Sequence, residues 1–478
     1  MDNVSFNLRN PLINVDSYKI SHFKQFPPGT EYVSCYIESR GGRWSRTLFY
    51  GLQIFLKEYL SKPFTLQDLD EAEDFWTSHG EPFNREAFEY VLKEYNGFWP
   101  VRIQAAPEGL VIPTGNVLVQ IVNTDPKCFW VPGFLETALL RAVWYPTAVA
   151  TNSYMCKQII KEYLDKTGDN PEAEINFALH DFGARGVSSF ESCGIGSSAH
   201  LLNFMGTDSA AGALFAKKYY NAAGPVGYSI PASEHSTITS WGNEESEIKA
   251  FENMIDQFGG PGKIYSCVSD SYDLWNAVDK WYSLKDKIIE KGGRLVIRPD
   301  SGNPVAVVSG LIDALINKFG CRINSKGYKV LPDYIRVIQG DGVDEKSIKD
   351  ILQELSFRKI STSNVVFGIG GMLLQHLDRD TLRFAMKCSA IRINGEWNDV
   401  FKDPITDSGK RSKKGRLALV KGTYSDGSVT YITKKEKDLT RSFITGVDWI
   451  DDNELRNVWM DGELLVDEQF EDIRARVK

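Results

Sequence analysis

Acidic, basic and imidazole side chains recur just past short apolar runs in the middle of this chain: Asp181 with Arg185, His235, Asp270, Arg298 with Asp300, and Asp341. Two glycine turns, GDG at 340–342 and GIGG at 368–371, hold the same relative place. Arginine can fork onto phosphate oxygens, and carboxylates beside it accept hydrogen bonds from sugar hydroxyls. The bare N–H groups of Gly340, Gly370 and Gly371 suit close backbone approach to a phosphate. A phosphorylated sugar is the ligand that uses all of these groups. Neither turn matches G-x-G-x-x-G or G-x-x-x-x-G-K-[ST], so ordinary dinucleotide and P-loop readings fail.

His235 sits in PASEHST, a turn rich in serine and threonine. No histidine or cysteine neighbours it at metal-ligand spacing, which argues against zinc. On a ligand rim, with Asp270 fixing its tautomer, it suits a general base or a phosphate-accepting nucleophile. Each residue also has a plainer reading: His235 as a core imidazole satisfied by backbone, and each aspartate as a helix N-cap. A succession of units carrying such residues is harder to explain by capping.

What must position them is a repeating βα pattern. Apolar runs at 176–183, 226–235, 264–271, 295–302, 334–342, 365–371 and 383–388 alternate with helical stretches. Ile248, Phe251, Ile255 and Phe258 share one helical face, as do Leu274, Val278 and Trp281, while Gly292-Gly293 and Gly320 stop later helices. Crossover helices force parallel strands, whose carboxyl ends form one ligand-binding rim. Outside this region, 110–124, 416–433 and 458–466 read as hairpins with Asp-Gly turns in the last two. The expected architecture is α/β: a barrel-like parallel βα core over 150–400, and a β-rich second domain assembled from 1–149 and 401–478. The basic run KRSKKGR at 410–416 reads either as a solvated loop or as one that closes on phosphate.

Composition narrows the class. The 478 residues are 42% hydrophobic and 25% charged, near the average for globular proteins and unlike disordered or fibrous chains. With 55 Lys+Arg against 63 Asp+Glu the net charge is −8, so the global field repels nucleic acid and phosphate must be held locally. Seven scattered cysteines (35, 128, 156, 193, 267, 321 and 388) make a poor disulfide framework and suggest a reducing, cytoplasmic setting. The N-terminus lacks the apolar core of a signal peptide, and no run is long and apolar enough to span a membrane.

Eight strings carry a resemblance: DSYKISHFKQFPPGTEY (16–32), HDFGARGVSS (180–189), GTD (206–208), PASEHSTITSWG (231–242), SDSYD (269–273), IRPDSGNP (297–304), VIQGDGVD (337–344) and FKDP with KRSKKGRL (401–417). In this order the chain resembles the nicotinamide phosphoribosyltransferases of the type II phosphoribosyltransferase family, from about 11 to 420. Beyond about 435 the resemblance fades. It implies transfer of phosphoribosyl from 5-phosphoribosyl-1-pyrophosphate to nicotinamide in NAD salvage, with Mg²⁺ on the pyrophosphate, ATP as co-substrate, and a homodimer with shared active sites. By similarity Phe182 and the partner's Tyr18 sandwich the pyridine ring, and Asp208 with Arg185 reads its carboxamide. Arg298 and Asp300 hold the phosphoribosyl group with Gly340, Asp341, Gly370 and Gly371. Arg40 of the partner subunit, Arg379, Lys387 and Lys402 face pyrophosphate, while His235 matches a histidine phosphorylated by ATP and Asp270 the carboxylate beside it. Ala184 stands where some members have a larger aromatic residue, and Ile369 and Met372 where relatives have small ones.

The residues speak against three alternatives. A nicotinate or quinolinate phosphoribosyltransferase is disfavoured because Asp208 would repel an acid. A barrel aldolase or phosphosugar isomerase needs a strand-end lysine or glutamate that is missing here. A non-catalytic binding protein on the same fold would have little use for an intact set of Asp, Arg and His.

Overall fold

The computed structural model describes residues 7–406, 410–439, 442–444 and 447–477. Internal contacts divide the chain into two compact units: Asn152–Ala216 with Ala223–Leu377, and Met1–Thr151 with Lys217–Ala222 and Asp378–Lys478.

The first of these is built on a parallel sheet. Its strands are β1 (Leu179–Asp181), β2 (Gly206–Thr207), β3 (Ile264–Val268), β4 (Arg294–Arg298), β5 (Ile335–Gln339) and β6 (Val365–Ile369). They pair in the order β2-β1-β6-β5-β4-β3, every neighbour parallel. Both outer strands bridge to one further segment, Gly206 to Tyr228 and Ala232 to Ser266. The sheet therefore curls round on itself, as the barrel-like expectation required. The run 226–235, expected as a strand, makes only these isolated bridges. Pro231 has no N–H to give a ladder, although its carbonyl accepts from Ser266 N at 2.9 Å. The short β2 gave too few residues for a strand signal.

Crossover helices follow from local chemistry. Asp273 caps Leu274–Ser283, Asn303 caps Pro304–Phe319 with proline at the first position, and Asp344 caps Glu345–Phe357. Gly292 (φ 79°) and Gly320 (φ 83°) end their helices in a conformation that other residues resist. Phe251 and Trp281, from the two faces read in the sequence, stack at 4.2 Å between ring centroids. Such burial leaves the strand ends free to carry polar groups.

The other unit holds an antiparallel sheet. Its strand order is 396–399, 384–393, 30–39, 117–123, 101–105, 456–460 and 463–464. The expected seventh βα strand, 383–388, is thus corrected: Phe384–Ile393 pairs antiparallel with Thr30–Ser39. An apolar alternating run does not reveal its partner, and here a nonlocal one was available. The hairpin expected over 110–124 is also replaced, because Val111–Pro113 pairs with Arg46–Leu48 while Val117–Asn123 lies between 30–39 and 101–105. The two Asp-Gly hairpins do form, at 417–424/429–435 and at 456–460/463–464. No helix among the described residues is long and apolar enough to cross a membrane.

Candidate active site

His235 and Asp270 meet as their strand-end positions suggested. His235 opens a one-turn helix after the second bridge, and its Nε2 lies 3.0 Å from Asp270 Oδ1, two residues past β3. The other carboxylate oxygen of Asp270 accepts from the Asp300 N–H at 2.8 Å and the Ser301 hydroxyl at 2.5 Å. Burial opposes ionisation of Asp270, but Ser301, the Asp300 N–H and His235 together hold its carboxyl below the usual range. An ionised Asp270 thus orients a half-exposed imidazole. Ser301, which pins that carboxylate, was not singled out in the sequence because a serine after Asp reads as ordinary turn chemistry.

Arg298, at the end of β4, is 17% exposed, with Nη2 3.9 Å from Asp300 Oδ2 and a buried Nε lacking any hydrogen-bond partner. Asp300 also lies 3.9 Å from His235 Nδ1. A guanidinium held this way has unsatisfied donors for an anion. Gly340 follows β5 beside Asp300: a β-carbon built there would stand 3.8 Å from Asp300 Oδ1 and 3.2 Å from the Phe182 ring. Gly368 is more demanding, since a β-carbon would fall 1.9 Å from that ring. Glycine at 368 is what lets the Phe182 ring approach the backbone there so closely, a role that only the folded packing displays. Asp341 is exposed, and its carbonyl accepts from Gln339 Nε2 at 2.6 Å.

Behind Phe182, the buried Asp181 accepts from Gly183 N at 2.7 Å and Ser197 Oγ at 2.6 Å, which shapes the turn that carries Arg185. Arg185 itself is exposed. Gly370 and Gly371 begin a one-turn helix, and Gly186 packs so closely on Gly371 that a β-carbon would come within 3.1 Å of its Cα. Asp208, just past β2, is exposed; its N–H reaches Asp181 O at 2.9 Å and its carboxylate accepts from Ser229. Ser229 was missed because it lies inside the apolar run 226–235 and not just past it, where the polar candidates were recognised. One rim of this unit thus carries Phe182, Arg185, Asp208, His235, Asp270, Arg298, Asp300, Gly340, Asp341, Gly370 and Gly371.

The remaining candidates belong to the other unit. Tyr18 lies on a turn of 3₁₀ helix and is 56% exposed, its ring 5.1 Å from that of His22. Arg40 continues the strand 30–39; its Nε reaches Glu38 at 2.9 Å while a buried Nη2 has no partner. Lys387 lies in the neighbouring strand, and burial, opposed by Glu136, combines with Arg40, Lys402 and Lys19 to push its ammonium down. Arg379 is exposed and paired with Asp380 at 3.2 Å, in the loop whose Thr381 carbonyl accepts from Arg43 N. Within the basic run, Arg411 pairs with Asp403 and Lys413 with Glu38, whereas 407–409 lie outside the described residues.

The family model for the nicotinate phosphoribosyltransferase family matches residues 177–445, and that for the nicotinamide phosphoribosyltransferase N-terminal domain matches 10–103. A nicotinamide phosphoribosyltransferase of Xanthomonas campestris is 48% identical over 475 residues, covering 98% of both chains. One of Acinetobacter baylyi is 31% identical over 512 aligned positions, 99% of this chain and 98% of the relative. The fold resembles nicotinate-nucleotide pyrophosphorylase of Pyrococcus furiosus, TM-score 0.62 at 16% identity, with 100% and 97% coverage. It resembles human nicotinic acid phosphoribosyltransferase equally, TM-score 0.62 at 17% identity, with 97% and 92% coverage.

Proposed function

This chain belongs to the nicotinate phosphoribosyltransferase family, and on that premise we propose that its rim residues transfer phosphoribosyl from 5-phosphoribosyl-1-pyrophosphate to nicotinamide. The products are nicotinamide mononucleotide and pyrophosphate, so the protein is a pentosyltransferase of NAD biosynthesis. The observation that carries the assignment to the site is Phe182, whose ring packs closely against Gly368 and Gly340, the latter beside Asp300. It supports an aromatic base stacked next to a sugar-binding carboxylate.

Nicotinamide has about nine heavy atoms, and even the best small ligands gain at most about 1.5 kcal/mol per atom, so capture needs both ring faces. Phe182 supplies one face, and Tyr18 of the partner subunit the other. Asp208 and Arg185 read the carboxamide. Arg298, Asp300, Gly340, Asp341, Gly370 and Gly371 hold the phosphoribosyl group, while Arg40 of the partner subunit, Arg379, Lys387 and Lys402 receive the departing pyrophosphate. Bond breaking runs ahead of bond making at the anomeric carbon, so positive charge on the ribosyl ring is matched by negative charge on the leaving group. Mg²⁺ would enter as a complex with the substrate's pyrophosphate.

ATP enters through His235. Asp270 accepts the Nε2–H and leaves the Nδ1 lone pair to attack the γ-phosphorus; a phosphorus–nitrogen bond forms and ADP departs with the electrons of the broken bond. The phosphohistidine then tightens the site and couples hydrolysis to product formation. His235→Ala is expected to keep a basal rate while losing its stimulation by ATP; full ATP-stimulated turnover in that variant would end this part of the proposal.

The decisive assay supplies 5-phosphoribosyl-1-pyrophosphate and Mg²⁺ with nicotinamide or nicotinate, each with and without ATP. Preferential nicotinamide mononucleotide formation supports the reading. Preference for nicotinate would leave the phosphoribosyl site but overturn the Asp208 argument, and no product from either base would favour a binding protein.

A homodimer with shared sites is the expected assembly. Mixing Tyr18→Ala with Asp208→Ala subunits should restore activity above that of either variant alone, because one of the two sites in each mixed dimer then combines two intact contributions. Absence of any recovery after verified subunit exchange would mean that each chain works alone. A cytoplasmic location agrees with seven unbonded cysteines.

A further inference from the structure

The antiparallel unit contains a cavity of about 300 Å³ bounded chiefly by Tyr32, Arg102, Arg392, Trp397 and Arg416, none of which is given a role in the transfer above, although Arg416 closes the basic run. That volume is at the lower end for small-molecule sites. Strand register builds it: Arg392 stands opposite Tyr32 on one side and Trp397 on the other, and Arg102 opposes Met460. The Arg392 guanidinium lies 5.6 Å from the centre of the Tyr32 ring, and that of Arg416 5.4 Å from Trp397. The two rings are 6.3 Å apart and tilted by 36°. Cations and aromatic faces therefore alternate along the cavity wall.

Charge there is incompletely balanced. Arg392 has Glu31 at 3.4 Å, and Arg416 Nε has Glu436 at 2.8 Å but without the alignment of a hydrogen bond. Arg102 has no carboxylate at ion-pair distance among the described residues, and its Nε is buried without a hydrogen-bond partner. Burial, with Arg416 adding to it and Glu436 opposing it, pushes the Arg102 guanidinium down from its ordinary value. Holding like charges together around an unsatisfied donor is unfavourable unless an anion joins them. Trp397, 41% exposed, offers that anion an aromatic face as well.

We propose that this cavity binds a nucleotide, with its phosphate received by Arg102 and Arg416 and its base laid against Trp397 and Tyr32. A bare phosphate would satisfy the guanidinium groups but leave the indole face wet, whereas a base covers it. None of the residues assigned to the transfer lines it, so failure of this proposal would leave the proposed reaction untouched.

Calorimetric titration of the full chain tests it, using AMP, adenosine and inorganic phosphate as probes. The Arg298→Ala variant serves as host, so that the catalytic rim contributes little. AMP should bind more tightly than either adenosine or phosphate, and adding Arg102→Ala or Trp397→Ala should weaken it by about tenfold or more. Arg102→Gln, which preserves most of the side-chain volume, stands in if the alanine variant does not fold. AMP binding that is unaffected by these changes, or no tighter than that of phosphate, overturns the proposal.

Discussion

Replacing Arg298 with alanine is expected to lower kcat/KM for 5-phosphoribosyl-1-pyrophosphate about a thousandfold with little change in thermal midpoint. Hydrogen bonds to charged groups contribute about 1.5–3 kcal/mol each, and a forked pair to a phosphate therefore accounts for roughly 3–6 kcal/mol. The side chain is positioned for such a contact: it is mostly buried at the end of β4, its Nε has no partner, and its nearest carboxylate is a loose 3.9 Å away. A group so weakly engaged within the protein contributes little to the fold and much to an anion that reaches it. Arg298→Lys should recover only part of the loss, because an ammonium restores charge but not the planar fork. Steady-state kinetics with 5-phosphoribosyl-1-pyrophosphate varied at saturating nicotinamide reads the effect. A loss below about tenfold would place the phosphoribosyl contact elsewhere on the rim.

How far the sequence reached depended on whether the controlling interactions were local. Asp273, Asn303, Asp344, Gly292 and Gly320 mark helix ends through contacts a few residues away, so the βα units could be read directly. The strand ends then predicted that His235 and Asp270 would meet, and they do. By contrast, 384–393 has the same apolar alternation as a core strand, and only its pairing with 30–39 assigns it to the other sheet. The bridging segment 226–235 was expected to form a ladder that Pro231 interrupts. Gly368 stood inside a glycine turn read as a phosphate cradle, but its own demand comes from the Phe182 ring. Serines are equally opaque: Ser229 and Ser301 acquire meaning only through Asp208 and Asp270. Nonlocal packing fixes these roles, and no spacing rule records it.

Asp208→Asn is expected to reduce the preference for nicotinamide over nicotinate by about a hundredfold. With nicotinate bound, two carboxylates about 4 Å apart would repel by about 4 kcal/mol at an effective dielectric near 20, and by only about 1 kcal/mol in bulk water. Asp208 is exposed in the free chain, so the working value lies between these limits, and a stacked base that excludes water moves it toward the higher. Asp208 cannot simply swing away, because its backbone N–H is tied to Asp181 O, β2 is paired with β1, and the Ser229 hydroxyl donates to its carboxylate. Asparagine keeps the size and an acceptor oxygen but removes the charge, so nicotinate should gain more than nicotinamide loses. Ser229→Ala frees the carboxylate without neutralising it and should change selectivity much less. The measurement is kcat/KM for each base at fixed 5-phosphoribosyl-1-pyrophosphate. An unchanged ratio in Asp208→Asn would mean that Arg185 or the shape left by Ala184, rather than charge repulsion, chooses the amide.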